Sequence, residues 1–137
     1  MTTALGADAF LLLVSDEARW RSSEEVGLAL DPLAFDPKTL AAQARREGRI
    51  FAAWDGARFH YPSFQFDAAG QPRSLAQELV RVLPSDESNM VGNEACLWVF
   101  QPDGALDGHS PAELFPKDPE RVIDLARRRR DGSDADD

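Results

Sequence analysis

The sequence predicts a mainly α-helical protein carrying one short β-hairpin, with a small helix-turn-helix-like unit ahead of a second helical domain. Two observations carry that prediction. Helix-start signals recur at Ser22/Glu25, Asp36-Pro37, Ser110/Glu113 and Asp118-Pro119, each next to apolar residues at helical spacing. A single Asp-Gly pair, Asp55-Gly56, separates "RIFAAW" from "ARFHY", the pattern of a tight hairpin.

Taken in order, Leu5, Ala9, Leu12 and Leu13 predict a helix over roughly residues 5–20, with Trp20 just beyond. Ser22 and Glu25 stand three apart, so a capping box opens a short helix with Val26 and Leu30 on its apolar stripe. After "DPLAF", Asp36 is expected to cap the next helix, Pro37 to sit in its first turn and Gly48 to end it. Two short helices joined by a tight connector are compatible with a helix-turn-helix, and the hairpin behind them reads as a wing or a scaffold ribbon. Beyond Pro72, Leu75, Leu79, Val82 and Leu83 predict a helix that Pro84 stops. The polar loop "SDESNMVGN" leads into "EACLWVF", read as a buried helix ended by Pro102 and Gly104. "SPAE" and "DPERVIDLARRRR" then open two more helices. The resulting division is a helical unit at 1–48, a hairpin and aromatic connector at 49–72, a helical domain at 73–130, and a polar acidic tail at 131–137, expected to be disordered.

Within the connector, "RFHYPSFQFDAAGQPR" poses a question, because its aromatics could line a pocket or fill a core. We expect a core. Tyr61, Phe64 and Phe66 form it, Pro62 ends the second strand, and Gln65 ties loop backbone to it. Trp98, Leu106, Gly108 and Pro111 are assigned the same structural role further along.

The chain of 137 residues carries 15 basic and 24 acidic side chains, a net charge of −9, which opposes non-specific attraction to nucleic acid. One cysteine precludes an internal disulfide and fits a reducing cytoplasm. No run of 18 apolar residues spans a membrane, and "AFLLLV" lacks the basic flank of a signal peptide. Catalysis is not expected. His60, His109 and Cys96 have no metal-ligand spacing, and no phosphate loop exists. No cofactor or metal is anticipated. Two basic groups remain. Lys38, Thr39, Arg45, Arg46 and Arg49 gather around the second helix, where a DNA-reading helix needs them. Over residues 21–61, however, six basic side chains are balanced by six acidic ones, as befits a solvated face. Arg127, Arg128, Arg129 and Arg130 close the last helix, either favouring its negative dipole end or anchoring an acidic or phosphate-bearing partner.

Residues 48–130 resemble the toxin-binding domain of Xre/MbcA/ParS-type antitoxins. The resemblance rests on a short hairpin followed by Tyr61-Pro62, Phe64-Gln65-Phe66 and a glycine turn. It rests also on an apolar helix and then Pro102, Leu106, Gly108, Pro111, Leu114 and Phe115, and on Val122 and Ala126 of "ERVIDLARR". Asp118-Pro119 departs from the family, which often has an acidic residue and then glycine there. The N-terminal part is also shorter than the repressor domain of better-known members. The resemblance implies an antitoxin of a type II toxin–antitoxin system, with the helical domain at 73–130 as its toxin-binding domain. Its partner would be a co-encoded RES-type toxin that consumes NAD or transfers ADP-ribose, blocked by docking with residues 127–130. Operator DNA, autorepression of the operon and a homodimer within the complex are further implied. The competing expectation is a stand-alone DNA-binding regulator without a toxin.

Overall fold

A computed structural model describes residues 20–84 and 92–131. Among them, helices dominate and strands are short. The expected helix over 5–20 and the tail at 132–137 lie outside the described residues, as does most of the polar loop before "EACLWVF". Trp20 itself opens a strand, β1 (Trp20–Ser22), that sequence periodicity did not suggest. Next come α1 (Ser23–Leu30), α2 (Pro37–Arg46), β2 (Ala53–Trp54) and β3 (Phe59–Pro62). A 3-10 turn (Ser63–Gln65) leads to α3 (Ala76–Val82) and α4 (Asn93–Val99). A second 3-10 turn (Gly104–Leu106), α5 (Pro111–Leu114) and α6 (Pro119–Asp131) complete the described residues.

The hairpin forms, but it is neither two-stranded nor closed by a two-residue turn. β3 is the central strand of a three-stranded antiparallel sheet in the order β1-β3-β2. Trp20, Arg21 and Ser22 pair with Pro62, Tyr61 and His60, and Ala53 and Trp54 pair with His60 and Phe59. The loop between β2 and β3 spans residues 55–58. The Asp55 carboxylate holds it by accepting from Ala57 N at 2.7 Å and Arg58 N at 2.8 Å, while Gly56 takes the positive φ of 101°.

Alternation along residues 50–53 turns the sheet into a shared wall. Ile50 and Ala52, with Tyr61 and Phe66, pack against Val26, Ala41 and Ala44 of the helix pair. Phe51 and Ala53 enter the larger core with Leu79, Val99, Leu106, Phe115 and Leu125. The hairpin segment thus separates α1–α2 on one face from α3–α6 on the other. With a core on each face, the ribbon serves as a scaffold layer between them.

Local signals explain the helix ends. Both capping boxes form, Ser22 with Glu25 and Ser110 with Glu113. Asp36 occupies the cap position of α2, but its carboxylate accepts from the Thr39 hydroxyl at 2.7 Å and caps no backbone N–H. With Pro37 at the first turn one orphan N–H is already removed, so the cap is less needed. At the other end, Arg49 N donates to Ala44 O and Gly48 N to Arg45 O, both 3.1 Å. This six-to-one and five-to-two pair needs the φ of +76° that Gly48 supplies. Gly27 is required for a different reason. A Cβ there would lie 1.8 Å from the Pro37 carbonyl oxygen, so α1 and α2 touch backbone to backbone. The two helices are present and packed, joined by a connector at residues 31–36 that leaves Leu33 and Phe35 almost fully exposed.

Candidate functional site

Gln65 joins sheet and connector. Its side chain is fully buried; Oε1 accepts from Phe51 N at 3.0 Å, and Nε2 donates to Phe51 O at 2.8 Å and Pro62 O at 3.0 Å. One amide therefore completes the backbone pairing of a buried, otherwise irregular segment. Tyr61, Pro62 and Phe66 are buried around it. Leu106 and Pro111 are buried too, and Trp98 is half-buried against the larger core. Gly108 is not a packing position: it is exposed with a φ of +85°, and it follows Asp107 at +59° to close the loop before α5.

Phe64 differs from its neighbours. It is half-buried, meets Phe51, Phe100 and Phe115 edge-on at ring distances of 6.0, 6.4 and 5.5 Å, and lines a surface groove of about 830 Å³. Trp20 and Phe100, 5.2 Å apart, also line it, as do Arg21 and Arg73. Arg21 lies over the Phe66 ring at 5.2 Å, and Arg73 Nε donates to Phe64 O at 2.8 Å. The aromatic connector is thus core on one side and groove wall on the other. Nothing in its period distinguishes the two, because Trp20 and Phe100 arrive from distant parts of the chain.

At the far end of α6, residues 127–130 are all exposed. Successive positions on a helix point about 100° apart, so four arginines in a row cannot form one cluster. Arg128 Nε pairs with Asp124 at 3.3 Å, and Arg129 reaches both carboxylate oxygens of Asp103 at 3.2 Å. Arg130 donates to Arg81 O at 3.0 Å. Arg127 makes no hydrogen bond or ion pair with the described residues. About two turns earlier in the helix, Arg121 donates to Ala105 O at 2.9 Å and to Asp107 at 3.2 Å. Arg121 and Arg129 together fasten the loop at 103–108 along α6. The sequence holds this latch only as scattered Asp and Arg, with no spacing that pairs them.

The basic residues of α2 and of the turn that ends it are similarly divided. The Arg45 guanidinium lies 3.8 Å over the Phe59 ring, which itself meets Trp54 at 4.7 Å. Arg49 pairs with Glu47 at 3.0 Å, and Thr39 is bound to Asp36. Lys38 and Arg46 are exposed and make no ion pair among the described residues.

The titratable groups have local explanations. His60 Nε2 lies 2.6 Å from Asp55 Oδ2. That bond, with the Arg58 and Ala57 amides, lowers the Asp55 carboxyl from 3.8 to about 2. Cys96 is buried among apolar side chains, and burial pushes its thiol well up. The His109 side chain is exposed, and its backbone N–H and C=O close the loop through Leu106 O and Asp103 N, both at 3.1 Å. Among the described residues no three His, Cys, Asp or Glu side chains gather as metal ligands, and no helix is long and apolar enough to cross a membrane.

Comparison with protein-family models, with curated proteins and with solved structures finds no match to the chain.

Proposed function

We propose that the chain is the antitoxin of a type II toxin–antitoxin pair, whose helical part docks on a cognate RES-type toxin and blocks its NAD-handling active site. The observation that supports this reading is the exposed basic end of α6, with Arg127 unpaired among the described residues. A guanidinium offers five donors in a planar fork suited to carboxylate or phosphate, the groups a pocket for an anionic dinucleotide must handle. Arg127 engages first, because Arg128, Arg129 and Arg130 must each exchange an intramolecular partner before binding another. A net charge of −9 also favours rapid encounter with a basic partner.

The test is purification of the tagged chain from its native cell, with mass spectrometry of what co-elutes. A stoichiometric enzyme whose NAD consumption falls in the complex is the expected result; no stoichiometric protein at ordinary salt would sink the reading. A second reading, a stand-alone DNA-binding regulator, draws on the outward-facing Lys38 and Arg46. It requires operator binding that weakens steeply between about 50 and 200 mM salt.

A further inference from the structure

The sheet face that carries Ile50 and Ala52 into the core of the helix pair runs on past it. By the same alternation Trp54 is the next residue on that face, and it pairs directly with Phe59 across β2 and β3. Their rings lie 4.7 Å apart, and the Arg45 guanidinium stands 3.8 Å over Phe59. Phe59 is half-buried against the core, but Trp54 is 46% exposed, with Phe59 as its only ring partner among the described residues. Asn93 fixes where the indole stands. Its side-chain amide accepts from Trp54 N at 2.8 Å and donates to Trp54 O at 3.0 Å. A large aromatic is thus held toward solvent, on an edge strand, by a two-point clamp.

The cations beside it are unanswered. Arg45 makes no hydrogen bond or ion pair among the described residues, and its Nε is buried without an acceptor. The Arg58 guanidinium, one position before Phe59, has no partner among them either. Neighbouring carboxylates are committed, Asp55 to His60 and the Ala57 and Arg58 amides, and Glu47 to Arg49. Glu94, exposed and next to Asn93 in the chain, offsets part of the charge. A neutral sugar or an acyl chain could cover the indole, but it would bury guanidinium donors without anionic acceptors, which is costly. A nucleotide offers both missing partners, a flat base for the indole and phosphate oxygens for the arginines. In a duplex the base faces are stacked on one another, and the net charge of −9 opposes an extended phosphate track.

We propose that the Trp54–Phe59–Arg45 ladder is a stacking site for single-stranded nucleic acid, with a base on the Trp54 indole and its flanking phosphates on Arg45 and Arg58. The site belongs to the sheet and α2, uses none of the arginines of α6, and does not depend on the chain being an antitoxin.

Titration of the full chain at low salt tests it, read by tryptophan fluorescence and by polarisation of a labelled strand. The probes are a thymidine homopolymer about ten nucleotides long, an abasic strand of the same length and charge, a duplex, thymidine monophosphate, and vesicles of anionic phospholipid. The homopolymer should quench the fluorescence and bind about tenfold or more tightly than the abasic strand or the duplex. Trp54→Ala should weaken it by about tenfold, while Trp54→Phe, which keeps a stacking ring, stays within about threefold of wild type. Arg45→Gln should make the slope of log affinity against log salt shallower by about 0.7, one phosphate contact to a single strand. Equal affinity for the base-bearing and abasic strands overturns the proposal, and that comparison needs only the wild-type chain. So does a duplex bound as tightly as the strand, affinity untouched by Trp54→Ala, or no binding of any strand. Thymidine monophosphate bound as tightly as the homopolymer would make this a free-nucleotide site, and binding of vesicles alone a membrane contact; either result overturns it equally.

Discussion

Removing the Gln65 side chain would leave the Phe51 N–H, the Phe51 C=O and the Pro62 C=O buried without partners. At about 1–3 kcal/mol for each unsatisfied group, Gln65→Leu should lose about 3 kcal/mol or more despite its similar volume. The denaturant midpoint measures this, and a loss below about 1 kcal/mol would mean that water or a shifted backbone replaces the amide. Asp55 makes a second residue-scale prediction. Its carboxyl is lowered to about 2, first by His60 and then by the Arg58 and Ala57 amides. The folded state keeps the charge to lower pH than the unfolded state does. The contribution is therefore present above 3.8 and is lost as pH falls through about 2. In acid titrations followed by circular dichroism, wild type and Asp55→Asn should differ in stability at neutral pH and converge toward pH 2. Asp55 is partly open to solvent, so the effect is small. At this scale the sequence was legible where chemistry is local. Ser22 with Glu25 and Ser110 with Glu113 are readable three residues apart, whereas the three bonds of Gln65 depend on where Phe51 comes to lie.

Among the elements, the α1–α2 contact is the most sensitive to a single atom. Glycine to alanine inside a helix normally gains about 0.5–1 kcal/mol from propensity alone. At Gly27 the added carbon would stand 1.8 Å from the Pro37 oxygen, a backbone atom that cannot rotate away. Sterics win. Gly27→Ala should destabilise by about 3 kcal/mol, the upper end of overpacking costs, read from thermal or denaturant unfolding. A neutral or stabilising result would show that the helices separate freely. β1 was hidden from sequence reading because three residues carry too little alternation to signal a strand, and its partner β3 lies about 40 positions away. The hairpin was legible from Asp55-Gly56, but its loop length was not, since it depends on which amides the Asp55 side chain chooses. The basic groups were legible only as composition. Helix geometry and the partners Asp103, Asp124 and Phe59 decide which arginines remain outward, and those partners come from distant positions or, for Asp124, from one turn back.

For the whole molecule, the arrangement is a helix pair and a helical body sharing one thin sheet, with a core on each face. The periodicity of each helix announced its own apolar stripe, but the alternation of Ile50 and Ala52 against Phe51 and Ala53 is what joins the two halves. That joining puts the basic residues of α2 and those of α6 on separate bodies of one molecule, so charge reversal on each can be tested independently. For the proposed antitoxin–toxin pair, the most direct measurement is inhibition of NAD consumption by whatever enzyme co-purifies, compared for wild type, Arg127→Glu and Lys38→Glu. The account predicts that Arg127→Glu weakens inhibition by about tenfold or more, roughly 1.4 kcal/mol, while Lys38→Glu inhibits like wild type. Inhibition unchanged by Arg127→Glu, or lost with Lys38→Glu alone, would contradict it.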